Sequence, residues 1–142
     1  MIGIIFGIIA GTAMSVQGVM NTSLSEHSGL FEANTFVQGT AFILSAIIML
    51  IFGNGSFKNL FSVDKIYLLG GVVGVIITVC VMLSIKNLSP TLAISIILIS
   101  QLVAAALIES FGLLGAEKAP FGLTKYIGTA LMIAGVIVFK LK

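Results

Sequence analysis

Four amide side chains fall in two pairs at helical spacing. Gln17 and Asn21 are four residues apart, as are Asn34 and Gln38, so each pair shares one helix face. A further amide, Gln101, stands near the middle of a long apolar stretch. Amides both donate and accept hydrogen bonds but do not titrate, so the set is suited to lining a path for a polar solute. It is equally suited to fastening helices to one another, at about 0.6 kcal/mol per bond in a membrane bundle. Gln17, Asn21, Gln38 and Gln101 are the candidate substrate-binding residues. Asn21 and Asn34 also read as interfacial, with Asn34 positioned to help cap its helix. Thr78, Ser95 and Ser100 are expected to bond back to carbonyls of their own helices.

Glu109 is the only acid within an apolar run. It lies about 12 Å along the helix from Gln101 at the usual rise per residue, near the edge of the hydrocarbon. Two readings follow: a gate or ion-coupling carboxylate, or an interfacial acid paired with Lys118 or Lys125. Other chemistry finds no residues to carry it. His27 is a solvated residue of the first loop, and the single Cys80 excludes a disulfide framework. There is no His and Cys cluster at metal spacing, no glycine loop between strand and helix, and no nucleophile with a base. The expectation is a protein without catalytic residue, metal or cofactor, and not an enzyme.

The elements that position these side chains follow from composition. Of 142 residues, 58% are hydrophobic and only 8% charged, against about a quarter charged in soluble domains. A charged surface cannot be built from so few groups, so the bilayer must be the solvent. Scattered lysines, no arginine and a net charge of +2 give nucleic acid no footprint. A span needs roughly 20 apolar residues, and charges divide the chain into five such stretches: about 2–20, 33–53, 66–86, 91–111 and 121–139. The first lacks a basic leading segment and is long enough to cross, so it reads as a span rather than a cleavable signal. The runs are apolar all round, which excludes the alternation of barrel strands. Residues 1–142 therefore read as a single transmembrane domain of five helices, an all-α membrane protein. Asp64, Ser89-Pro90 and Pro120 are placed to open the third, fourth and fifth helices, and Gly53-Asn54-Gly55-Ser56 to end the second.

Small residues suggest where helices meet. Gly3, Gly7, Gly11 and Ser15 recur every four residues on helix 1, Gly70 and Gly74 on helix 3, and Ala130 and Ala134 on helix 5. Such stripes let backbones approach closely; on helix 1 the stripe is a packing face or a sliding surface. Five spans put the termini on opposite sides. Lys58, Lys65, Lys118 and Lys125 then share the N-terminal side, with Lys86, Lys140 and Lys142 on the other. So even a division gives the positive-inside rule little hold. Either the N-terminus is fixed inside, or the chain inserts both ways or pairs with a homologue inserted oppositely. Because the helix count is odd, two opposed copies form an inverted pair, the plan of many secondary transporters. The expected partners are the lipid bilayer, a small-molecule substrate and an antiparallel homodimer or heterodimer mate. A small dual-topology ion channel and a non-transporting subunit of a membrane complex remain as alternatives.

The run Gly11-Thr12-Ala13-Met14-Ser15-Val16-Gln17-Gly18-Val19-Met20-Asn21 resembles the glycine, Gln-Gly and Asn pattern of the small YdcZ-like family. Gln38-Gly39, Gln101, Glu109-Ser110-Phe111-Gly112 and Pro120 match that family's later landmarks in order. The resemblance covers essentially the whole chain. It implies membership of the drug/metabolite transporter superfamily, whose larger members are ten-helix inverted repeats. It implies also a bacterial inner membrane, transport of small metabolites or drug-like solutes, and dimers or paired subunits. The superfamily's four-helix multidrug transporters carry a glutamate in their first helix, where this chain has Gln17. That departure argues against proton-coupled export of cations and for a neutral or zwitterionic solute.

Overall fold

The computed structural model describes residues 1–119 and 122–141. Among them, five helices are long and apolar enough to cross a membrane, and no strand occurs. They are α1 (Ile2–Ser28), α2 (Leu30–Phe52), α3 (Gly70–Asn87), α4 (Pro90–Phe111) and α5 (Leu123–Lys140). The all-helical membrane architecture expected from composition is observed. The chain forms two compact units, Met1–Lys86 and Asn87–Lys142. The expected roles of Pro120, Phe121 and Lys142 lie outside the described residues.

In the first unit α1 has 27 residues, about 40 Å at 1.5 Å per residue, against a hydrocarbon core of about 30 Å. Sequence reasoning ended this helix near Met20 and left His27 in a loop. Instead the helix continues to Ser28, because its polar side chains bond within it. Ser25 Oγ donates to Thr22 O and Ser28 Oγ to Leu24 O, while His27 Nδ1 lies 2.8 Å from Ser23 O. Gly29 alone then joins α1 to α2. Its N–H donates to Ser25 O at 3.0 Å and its carbonyl accepts from Ala33 N at 3.1 Å, so one residue serves both helix ends. Its φ of 100° and ψ of 153° suit glycine alone. Gly29, not Asn34, occupies the N-cap of α2, and no side chain caps it.

So short a joint forces α1 and α2 together at this end, and the buried residues of the unit gather there. Gly18, Asn21, Thr22 and Ser25 are buried on α1, Ala33 and Asn34 on α2, and Met82 and Ile85 on α3. A Cβ on Gly18 would lie 3.0 Å from Ile85 Cδ1 and 3.1 Å from Val81 Cγ1, which makes Gly18 the close approach of α1 to α3. The stripe chosen from sequence meets no neighbouring helix within the first unit. Gly3, Gly7, Gly11, Gly70 and Gly74 have no heavy atom within 4 Å of a Cβ position, and Ser15 bonds back to Gly11 O. Ala130 and Ala134 of the second unit are exposed as well.

Two 3-10 segments precede α3. Ser56 caps the first, Phe57–Ser62, by accepting from Lys58 N at 3.3 Å. The second, Lys65–Leu69, runs directly into Gly70. Asp64 stands at its head as expected but makes no side-chain cap; only its carbonyl is used, by Tyr67 N at 3.0 Å. In the second unit Ser89 Oγ does accept from Leu92 N, at 3.4 Å, with Pro90 at the first helical position. α4 ends on Gly112 in the left-handed conformation, φ 63°.

Candidate functional site

The polar side chains buried in the first unit lie on either side of Gly29. Asn21, Thr22, Ser25 and Asn34 are 8%, 5%, 6% and 7% exposed. Thr22 Oγ donates to Gly18 O and Ser25 Oγ to Thr22 O, each at 2.7 Å. Their protons are thereby committed, and what remains on these hydroxyls is acceptor lone pairs. Asn34 Oδ1, also an acceptor, is buried without a partner. An unsatisfied amide oxygen costs about 1–3 kcal/mol, and the Asn21 and Asn34 amides bring N–H donors as well as acceptors to this end of the unit.

Asn21 and Asn34, read from sequence as lying at the depth of the membrane interface, are buried among the helices of the first unit. Sequence reasoning missed Thr22 and Ser25. The pattern that would have found them is Gly18, Asn21, Thr22 and Ser25, small residues at the three-and-four spacing of one helix face.

Gln38 takes a different part. Its Nε2 donates to Thr78 Oγ at 3.3 Å, joining α2 to α3, while Thr78 Oγ donates to Gly74 O at 2.9 Å. Thr78 thus bonds to its own helix as expected and accepts a second bond across it. Ser95 and Ser100 bond back to Thr91 O and Ile96 O, also as expected. The four amides do not all converge. Asn21 and Asn34 are buried at the Gly29 end, Gln38 is held against α3, and Gln17 is exposed. Gln101 is exposed too, and neither Gln17 nor Gln101 has a side-chain hydrogen bond among the described residues. Within the second unit no described residue covers Gln101.

In the second unit Lys125 Nζ donates to Glu109 Oε2 at 2.6 Å, with the two side chains 42% and 46% exposed. Of the two lysines considered for Glu109, Lys125 is the partner. The pair links the last turn of α4 to the first turn of α5. It stands on a groove of about 410 Å³ whose other walls are mainly apolar, among them Leu102, Ala105, Gly128 and Met132.

Residues 2–138, and with them all of α1 to α4 and most of α5, match the model of a family described as "Putative inner membrane exporter, YdcZ". The chain belongs to the YdcZ family. The chain is an integral inner-membrane protein with five candidate spans among the described residues. The family description is that of an exporter, a membrane activity rather than an enzymatic one. No curated protein and no solved structure matches this YdcZ-family chain.

Proposed function

We propose that this YdcZ-family chain moves a small neutral or zwitterionic solute across the inner membrane as an antiparallel dimer, with the path at the subunit interface. The observation that carries this reading is the exposure of Gln101 near the middle of α4 in the second unit, with no side-chain hydrogen bond among the described residues. Hydrocarbon offers no hydrogen bond, and an unsatisfied polar group there costs several kcal/mol. A second subunit over this surface relieves that cost, and Gln17 on α1 makes the same demand.

Other features support an inverted mate. Five spans place two oppositely inserted copies in the relation of an inverted repeat. The near-even division of seven lysines between the two sides leaves orientation weakly biased. Asn21 and the unpartnered Asn34 Oδ1 add buried acceptor capacity at the Gly29 end of the first unit, suited to a solute that brings donors. The amides themselves do not titrate, so this reading gives them no part in proton exchange. Glu109, held by Lys125, fastens α4 to α5 in this reading.

The test combines topology, assembly and flux. Reporters fused to the C-terminus should give signal on both sides of the membrane, and purified protein should have the mass of a dimer. In a Cys80→Ser background, Gln101→Cys should crosslink between subunits. Proteoliposomes should take up a neutral or zwitterionic solute saturably and without a pH gradient. A monomer with one-sided reporters overturns the dimer; proton-driven uptake of a quaternary ammonium overturns the solute class; rapid electrogenic flux indicates a channel.

A further inference from the structure

We propose that the groove between α4 and α5 binds one zwitterionic phospholipid of the phosphatidylethanolamine type, with its ammonium on Glu109, its phosphate on Lys125 and an acyl chain along the apolar wall. None of the amides of the proposed path lines this groove.

Three observations converge on this occupant. The first is charge. The groove ends on one carboxylate and one ammonium, 2.6 Å apart and each nearly half exposed, so it is neutral as a whole. An anionic headgroup satisfies Lys125 but faces the Glu109 carboxylate, and a cation leaves Lys125 opposed. A headgroup carrying both charges exchanges the internal pair for two charge-assisted bonds with no charge left over. A primary ammonium donates hydrogen bonds to a carboxylate, which a quaternary one cannot do.

The second is depth. Glu109 is in the last turn of α4 and Lys125 in the first turn of α5, where the helices leave the hydrocarbon. Leu102 and Met132 each stand seven residues farther in along their helices, about 10 Å at the helical rise. The charged end is thus at headgroup level and the apolar wall runs toward mid-membrane, the polarity of a lipid in its leaflet. The third is the wall's chemistry. Thr129, its polar member, has its hydroxyl committed to Lys125 O at 2.9 Å. With Leu102, Ala105, Gly128 and Met132 around it, the wall gives a hydrocarbon chain contacts and a polar solute almost none. The volume, about 410 Å³, lies within the usual range of ligand pockets.

Native mass spectrometry tests the assignment. The full chain is released from micelles holding equal amounts of phosphatidylethanolamine, phosphatidylcholine and phosphatidylglycerol with identical acyl chains. The wild type should retain phosphatidylethanolamine over both others. Glu109→Gln should lower that retention roughly tenfold, the loss of one charge-assisted hydrogen bond, while sparing phosphatidylglycerol. Gly128→Leu fills the groove from a position with no atom within 4 Å of its Cβ. It should abolish retention of every lipid with helicity unchanged by circular dichroism. Equal retention of the three lipids by the wild type, a preference for phosphatidylglycerol, or undiminished binding in Gly128→Leu would overturn the proposal. None of these outcomes bears on oligomeric state or solute flux.

Discussion

Gln38 on α2 donates to Thr78 on α3 at 3.3 Å, and Thr78 in turn donates to Gly74 O of its own helix. The hydroxyl is therefore oriented by its helix before the amide meets it, which fixes the direction of the interhelical bond. Bonds of this kind in a membrane bundle contribute about 0.6 kcal/mol, because the separated helices find other partners.

A double-mutant cycle of Gln38→Leu and Thr78→Val, read by unfolding in mixed micelles, should give a coupling of about 0.6 kcal/mol. A coupling indistinguishable from zero would remove Gln38 as a link between these helices and return it to the solute path alone.

Two glycines of α1 should respond oppositely to the same change. Gly18 faces Ile85 and Val81 at 3.0 and 3.1 Å from its Cβ position, whereas Gly7 has no atom within 4 Å. Gly18→Leu should destabilise the chain by about 1–3 kcal/mol through overpacking. Gly7→Leu should stay within about 0.5 kcal/mol of wild type in the dissociated chain, as surface substitutions do. Equal effects in thermal unfolding would contradict the packing of α1 on α3.

The fold class was legible because charge is so scarce that each lysine or acid marks a place where the chain meets water. The end of α1 was not, since Ser25, His27 and Ser28 look like loop residues until their side chains are seen bonding to the preceding turn. The close approach of α1 to α3 at Gly18 was hidden for a related reason. Gly3, Gly7 and Gly11 display the more regular spacing, but which stripe meets a neighbour depends on the one-residue joint at Gly29, a tertiary constraint. Glu109 was more legible: its depth along α4 and two lysines on its side named the candidate partners, beside the reading as a gate or ion-coupling carboxylate. The exposure of Gln17 and Gln101 could not be foreseen from a single chain's apolar pattern, because hydropathy does not distinguish a surface facing a neighbour from one facing lipid.

Gly29 should tolerate no side chain. At φ 100° and ψ 153° it occupies backbone space open almost only to glycine, and a Cβ there would collide with the Glu32 carboxylate. Glu32 can swing away; the backbone strain cannot. Gly29→Ala should therefore cost about 1–3 kcal/mol, and a Gly29→Ala/Glu32→Ala pair should recover little of it. Full recovery by the second substitution would place the cost in the carboxylate rather than the joint.

Asn34 offers the sharpest separation of stability from function. Its Oδ1 is buried without a partner, a standing cost that natural packing ordinarily avoids. Leucine shares the branched four-atom outline of asparagine and has no polar atom, so, where the pocket takes its two methyl groups, Asn34→Leu should stabilise the chain by about 1–3 kcal/mol, the penalty of the unsatisfied group. If that oxygen is kept to receive a donor from the passing solute, the more stable variant should transport less. A rise in unfolding temperature together with lost flux in proteoliposomes is the expected pair of results. Flux undiminished in a stabilised variant would take Asn34 out of the path, and a fall in stability would mean that its oxygen is satisfied within the membrane after all.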